Sequence, residues 1–189
     1  MANDLYRNFN ELKNNEQRDK DYRIYTRDVG SAITIIAPHG GRIEPGTSEI
    51  ARKIAAERYN CYCFEGVKKE NNGSLHITSH RFDEPMAVKM VSASRAVVSV
   101  HACTGKEKLV YLGGLDIVLK GMISHELKTR RIIVPPKNRG FQGLSPNNIC
   151  NRGMNGKGVQ LEITRGLRDE FKSRREIAEA VRTALIKYG

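Results

Sequence analysis

Short apolar runs alternate along the chain with longer stretches in which apolar residues recur at helical spacing. The strand-like runs fall at residues 31–37, 61–67, 75–78, 96–101, 108–112, 131–134 and 158–163. The helical spacing falls at residues 47–59, 85–92, 116–128 and 172–188, where Ile50 and Ile54, for example, lie one turn apart. These two periodicities predict strands and amphipathic helices that follow one another along the chain.

Strands that alternate with helices are typical of the α/β class. We therefore predict a mixed, mostly parallel sheet with helices on both faces. The chain has no composition break and no internal repeat, so one domain is expected to span residues 1–189. Residues 1–25 are polar with a weak stripe of Leu5, Phe9 and Leu12, which predicts an N-terminal arm or a short surface helix.

The charge balance narrows the choice of partners. Lys and Arg number 32 against 21 Asp and Glu, which gives a net charge of +11 and a field that attracts polyanions. Nucleic acid and an acidic polymer both fit this charge. Aromatic residues make up only 6% of the chain, and neither a helix-turn-helix nor an aromatic RNA-binding motif is present, which argues against nucleic acid. Nothing in the sequence indicates an obligate protein partner.

Two further patterns bear on the compartment. No apolar run approaches the roughly 20 residues that cross a bilayer, and the N-terminus lacks the apolar segment of a signal peptide. We expect cytoplasmic synthesis and no membrane association. The four cysteines, Cys61, Cys63, Cys103 and Cys150, do not have zinc-finger spacing and are expected to pack as reduced thiols, although their even number leaves disulfides open.

Candidate metal ligands follow two of the predicted strands. In the segment "IIAPHGGRIEPGTSEIA", His39 comes directly after a strand and Glu44 lies five residues further on, across two glycines. His101 closes another predicted strand. Sites in α/β sheets gather at the carboxyl ends of the strands, and two histidines with one carboxylate are the ligands of a catalytic zinc site. The alternative is that each histidine is a structural residue at a strand end.

Four segments resemble a known family. "APHGGRIEPGTSEIA", "SLHITSHRFDEP", "VVSVHACTG" and "SPNNICNRG" resemble the poly-γ-glutamate hydrolases of bacteriophages and bacilli. The resemblance implies a zinc hydrolase with a zinc carboxypeptidase-like core, in which His39, Glu44 and His101 bind Zn²⁺. It also implies that the substrate is poly-γ-glutamate, and a phage-derived enzyme would leave the cell by lysis.

Hydrolysis at a zinc site needs a carboxylate that takes a proton from water and delivers it to the leaving amine. In the zinc carboxypeptidase group this residue is a glutamate on a late strand, and Glu162 in "GVQLEITRGLR" matches it in order and setting. Strand alternation places Gln160 and Glu162 on one face and their apolar neighbours on the other. The alternative is a solvent-facing glutamate paired with Arg165 or Arg168.

An anionic substrate also needs guanidinium groups, which bind carboxylates through two parallel hydrogen bonds. Arg139, Arg152 and Arg165 are the candidates, and Arg152 could instead stabilise the oxyanion. Asn151-Arg152 is similar to the substrate-binding Asn-Arg pair of carboxypeptidase-like enzymes, although it follows the second histidine here, whereas it precedes that histidine in those enzymes.

Two further histidines, His76 and His80, flank the end of predicted strand 75–78. Their spacing would suit metal binding on a helix, but the strand-like pattern of residues 75–78 removes the one-turn geometry that such a site needs. We expect His80 to line the cleft. Together these features predict a zinc-dependent hydrolase of poly-γ-glutamate. The alternatives are a zinc amidohydrolase or peptidase acting on a small acyl-amino acid or cell-wall peptide, and a basic nucleic-acid-binding protein.

Overall fold

The computed structural model describes residues 4–136 and 140–189, which contain a six-stranded mixed sheet in the order β1-β3-β2-β4-β6-β5. The strands are β1 (Tyr22–Arg27), β2 (Ile33–Gly41), β3 (Asn60–Gly66), β4 (Ala96–Cys103), β5 (Val110–Gly113) and β6 (Val159–Thr164). The four central strands are parallel, and the edge strands β1 and β5 pair antiparallel to them. The predicted fold class, a mixed and mostly parallel α/β sheet, is confirmed.

Helices cover both faces of this sheet, as predicted. They are α1 (Phe9–Asn15), α2 (Thr47–Ala55), α3 (Pro85–Ser92), α4 (Ile117–Thr129), α5 (Arg165–Arg168) and α6 (Phe171–Tyr188), with short 3₁₀ helices at Asn72–Leu75 and Ile149–Asn151. Asp116 caps the N-terminus of α4, because its carboxylate accepts a hydrogen bond from the Leu119 N–H at 2.9 Å. Within the described residues, no helix has the length and apolarity required to span a bilayer.

Two apolar layers hold the sheet between its helices. On one face, alternating strand residues such as Ile35, Val98 and Leu161 pack against α2, α4 and α6. On the other face, Ile36 and Phe64 pack against α1 and α3. Each such buried side chain contributes about 1.5–3 kcal/mol of transfer free energy. The cysteines are free thiols, and three of them are buried in these layers.

The N-terminal segment, residues 4–27, packs against the rest of the described fold. Helix α1 buries Phe9 and Leu12 of the predicted stripe, whereas Leu5 of that stripe is exposed. Strand β1 was not predicted; it pairs with β3, and the ring of Tyr22 stacks on that of Phe64 at 5.1 Å between centroids. The chain therefore reaches the second apolar layer before the first predicted strand begins.

Two predicted strands were wrong. Leu75 ends a 3₁₀ helix, and residues 76–78 have no strand partner. Leu75 and Ile77 are buried in the second apolar layer without joining the sheet. Residues 131–134 form one isolated bridge between Leu109 and Ile133, since Arg131 adopts a positive φ of 60° directly after α4. At residues 75–78 the apolar alternation indicated the burial of Leu75 and Ile77 correctly and strand pairing incorrectly, whereas at residues 131–134 Ile132 is buried and Ile133 is exposed.

Candidate metal centre

The loop that carries His39 and Glu44 begins at an irregularity in strand β2. The register with β3 shifts across Pro38 and His39 before pairing resumes. Pro38 has no N–H to give to a ladder, so the bulge forms where regular pairing would lose a hydrogen bond. Gly41 then turns the chain with a φ of 63°, and the Glu44 N–H donates to the His39 carbonyl at 2.9 Å. The bulge and the closed loop turn His39 and Glu44 toward one point.

His101 reaches the same point from the neighbouring strand β4. The Nδ1 atoms of His39 and His101 are 3.1 Å apart, and they lie 3.4 Å and 3.9 Å from the carboxylate oxygens of Glu44. Both histidines are 2% exposed. Tetrahedral zinc with Zn–N bonds of 2.0–2.1 Å sets its donors about 3.3 Å apart. The three side chains therefore have the donor types and the spacing to hold a metal ion.

Each candidate ligand is oriented by a second contact. His39 Nε2 lies 2.8 Å from the Ile77 carbonyl, which can only accept, so this nitrogen carries the hydrogen and Nδ1 is left with its lone pair. His101 Nε2 lies 2.5 Å from Ser99 Oγ. The Ala102 N–H donates to the Glu44 carboxylate at 2.9 Å. Such outer contacts are what fixes the tautomer and direction of metal-binding side chains.

The electrostatics of the cluster favour a cation at its centre. Burial alone would lower the pKa of His39, but the Glu44 carboxylate raises it above its ordinary value. Burial would raise the pKa of Glu44, and the facing histidines lower it instead. Burial and the charge of His39 lower the pKa of His101 to about 3. Metal ligands must be deprotonated, so a bound cation would compete with protons for these three side chains.

Glu162 lies on β6, in register with His101 on β4. Its side chain is buried and accepts a hydrogen bond from Gln160 at 2.9 Å. Burial, followed by the charge of Glu44, raises the pKa of Glu162 to about 8. The alternative of a solvent-facing glutamate is therefore excluded, and the carboxyl has an affinity for protons that suits acid–base chemistry near neutral pH.

Residues 6–187 match the family model described as poly-γ-glutamate hydrolase. The chain belongs to the poly-γ-glutamate hydrolase family. The resemblance seen in the four sequence segments is thereby confirmed.

Relatives in this family share both sequence and fold. The UPF0714 protein YndL of Bacillus subtilis (strain 168) is 40% identical over 169 residues, which is 88% of this chain and 66% of YndL. A solved bacteriophage poly-γ-glutamate hydrolase superposes with a TM-score of 0.95 at 32% identity and covers 98% of both chains. The zinc-free apo structure of YndL superposes with a TM-score of 0.89 at 36% identity, covering 98% of this chain and 99% of that one.

The two residues of the predicted Asn-Arg pair lie in different environments. Asn151 is buried, and its amide is fully used by the backbone: it accepts from Leu115 and Gly158 and donates to Gly143 and Ser145. Asn151 thus stabilises the loop before β6 and has no donor or acceptor left for a substrate. Arg152 is half-buried and donates to the carbonyl of Phe82, whose ring lies edge-on to that of His39.

The other predicted substrate-binding residues lie at the surface or outside the described residues. The side chain of Arg165 is 75% exposed and pairs with Asp169 at 3.2 Å. His80 is exposed. Arg139 falls outside the described residues. A substrate-binding role for these three stays a prediction for this member of the poly-γ-glutamate hydrolase family.

Arg168 is a residue of the site that could not be identified from the sequence. The sequence suggested Arg168 only as a partner of Glu162 at the protein surface. It is 8% exposed and donates to three backbone carbonyls, those of Ile163 on β6, Cys103 on β4 and Pro45 in the loop after β2. One guanidinium thus ties together the ends of the three strands that carry the candidate site. The contacts with Cys103 and Pro45 join residues far apart in sequence, so no local pattern could have revealed them.

His76 is the second residue that was missed. Its ring lies 4.0 Å from the ring of His39, centroid to centroid, and its Nδ1 donates to Asp4 at 2.7 Å. The segment "SLHITSH" belongs to one of the four segments that resemble the family, and this resemblance is the one signal in the sequence that pointed to His76. The prediction of a strand there led us to give His76 no role.

Proposed function

We propose that this chain hydrolyses the γ-glutamyl amide bonds of poly-γ-glutamate at a zinc ion held by His39, Glu44 and His101. Membership of the poly-γ-glutamate hydrolase family supports the substrate class. The observation that carries the proposal is the position of a buried carboxyl, Glu162, on the strand beside a three-residue metal-binding cluster.

Zinc suits this cluster on chemical grounds. Two imidazole nitrogens and one carboxylate are its usual catalytic ligands, and both histidines have the outer hydrogen bonds expected of ligands. YndL, a family relative, has a structure described as zinc-free. When bound, zinc would supply a Lewis acid that polarises the scissile carbonyl and lowers the pKa of water.

Glu162 is the proton carrier of the proposed reaction. Its carboxylate takes the proton of the attacking water and returns it to the nitrogen of the leaving amine. Its pKa of about 8 supports this cycle, because a group with a pKa near the working pH can both accept and release a proton. Gln160 holds one of its oxygens in place at 2.9 Å, and Asn148 in turn holds Gln160 at 2.8 Å.

The substrate carries one carboxylate on every residue, and the net charge of +11 favours its capture. Of Arg152 and Arg165, the two predicted arginines within the described residues, Arg152 has the more suitable position for contact with a substrate carboxylate. It is anchored at 2.8 Å to the Phe82 carbonyl, and the Phe82 ring lies 6.3 Å from that of His39.

The test is to incubate each protein with poly-γ-glutamate and to measure the length of the polymer over time. The proteins compared are the wild type, Glu162→Gln and the matched control Glu57→Gln. The side chain of Glu57 is 93% exposed, so this control changes a glutamate outside the site. Loss of general acid–base catalysis should slow chain shortening by at least about 100-fold in Glu162→Gln. The variant should keep its zinc, and the control should match the wild type. A Glu162→Gln protein with wild-type activity would refute the assignment of Glu162. Salt-insensitive cleavage of short neutral amides, with the polymer left intact, would favour the small-substrate alternative.

A further inference from the structure

Asp4, in the N-terminal segment, has a buried carboxylate that binds a chain segment in contact with the candidate metal centre. The Asp4 side chain is 1% exposed. Its two oxygens accept three hydrogen bonds, from His76 Nδ1 at 2.7 Å, from the Thr78 N–H at 2.8 Å and from Arg81 Nη2 at 2.6 Å. All three donors belong to one short segment, which is more than 70 residues away in sequence. Asp4 therefore fixes the position of residues 76–81.

That segment contacts His39 in two ways. The His76 ring lies against the His39 ring, with 4.0 Å between centroids and a tilt of 34°. The Ile77 carbonyl accepts from His39 Nε2 at 2.8 Å, and Ile77 lies between the two residues that Asp4 holds, His76 through its side chain and Thr78 through its N–H. The ring orientation and the tautomer of His39 both depend on a segment with no strand partner of its own.

The geometry points to Asp4 as a positioning residue for the metal centre: it holds His76 and the Ile77 carbonyl where they aim His39 Nδ1 at the metal. This role rests on the proposed function, because it requires that His39 binds the metal. Asp4 touches neither the substrate nor the metal ligands and acts through its hydrogen-bonded segment. It would raise metal affinity by preorganising one ligand, as outer-shell carboxylates do.

The chain offers a matched control. Asp83 accepts a hydrogen bond from the Phe9 N–H at 2.6 Å, and so ties the same N-terminal segment to the same stretch of chain. The hydrogen bond of Asp83 involves neither His76 nor Ile77, so Asp83→Asn weakens a contact of the N-terminal segment and leaves the support of His39 in place. Any general effect of loosening this segment should appear in both variants, whereas loss of the His39 support should appear only at Asp4.

The experiment is a competition titration of Zn²⁺ between a fluorescent chelator and the metal-free full chain. It compares the wild type with Asp4→Ala, the milder Asp4→Asn and the control Asp83→Asn. Zinc affinity should fall about 10–100-fold in Asp4→Ala and less in Asp4→Asn, and stay within about twofold of the wild type in Asp83→Asn. Urea unfolding of each metal-free protein checks that it is folded, and the Co²⁺ absorption spectrum reports ligand geometry.

Wild-type zinc affinity in both Asp4 variants would overturn the role of Asp4, and so would equal losses in Asp4→Ala and Asp83→Asn. Should Asp4→Ala fail to fold, Asp4→Asn decides between the two results. A wild-type chain that binds neither Zn²⁺ nor Co²⁺ would overturn the metal centre itself, and that result is distinguishable because it appears without any substitution.

Discussion

The raised pKa of Glu162 should appear as a dependence of stability on pH. The carboxyl is buried, and its pKa rises from the ordinary 4.5 to about 8 in the folded chain. Below pH 4.5 it is neutral in both the folded and unfolded states and has no effect on stability. As the pH rises toward 8 the unfolded chain releases this proton while the folded chain keeps it, so the folded state loses relative stability.

The size of the effect follows from these two values. Each pH unit between 4.5 and about 8 costs about 1.4 kcal/mol, so the full loss is about 5 kcal/mol above pH 8. Glu162→Gln removes the ionisation and keeps the shape. Between pH 5 and pH 9, the free energy of unfolding of the wild type should therefore fall by about 4 kcal/mol relative to that of Glu162→Gln.

Urea unfolding of the metal-free proteins, in chelator at pH 5, 7 and 9, measures this difference. In the control Glu57→Gln, the free energy of unfolding should depend on pH as it does in the wild type, because the Glu57 carboxyl is solvated in both the folded and unfolded states. A constant difference between Glu162→Gln and the wild type across this range would refute the reasoning. It would mean that Glu162 has an ordinary pKa and that water or a neighbouring charge reaches it in the folded chain.

Three shorter predictions concern the surroundings of the site. Ser99→Ala removes the partner of His101 Nε2 at 2.5 Å, and zinc affinity, measured by chelator competition, should fall about 10-fold. Arg168→Met leaves three carbonyls without their donor, and the free energy of unfolding should fall by about 3 kcal/mol, while the exposed Arg165→Met should change it by less than about 0.5 kcal/mol. Equal losses in the two arginine variants would contradict the role of Arg168. The KM for poly-γ-glutamate should rise with added salt because screening weakens attraction to a chain of charge +11, and a KM independent of salt would contradict electrostatic capture.

The sequence predicted the parts of the site that follow strand ends. His39, Glu44 and His101 could be placed together because parallel strands end at the same edge of a sheet, and the structure brings their donor atoms within 4.8 Å of one another. The side of β6 on which Glu162 lies followed from strand alternation. In each case the local pattern contained the information, since the position depends on the periodicity of one element.

The missed parts depend on contacts between distant segments. The polar strand β1 has few apolar residues and gains its place by pairing with β3. Asp4, His76 and Arg168 have ordinary local surroundings in the sequence, and their partners lie dozens of residues away. The Asn151 amide looked suited to a substrate because its use by four backbone groups could not be seen without the folded loop.

The central claim is that one metal site performs the hydrolysis, and zinc content measured beside polymer length tests it most directly. Elemental analysis of the purified wild type should give about one zinc per chain, and the same preparation should shorten poly-γ-glutamate. His101→Ala should lose both the zinc and the shortening, because it removes one of the three proposed ligand side chains. A wild type without bound metal, or a His101→Ala protein that still shortens the polymer, would contradict the account.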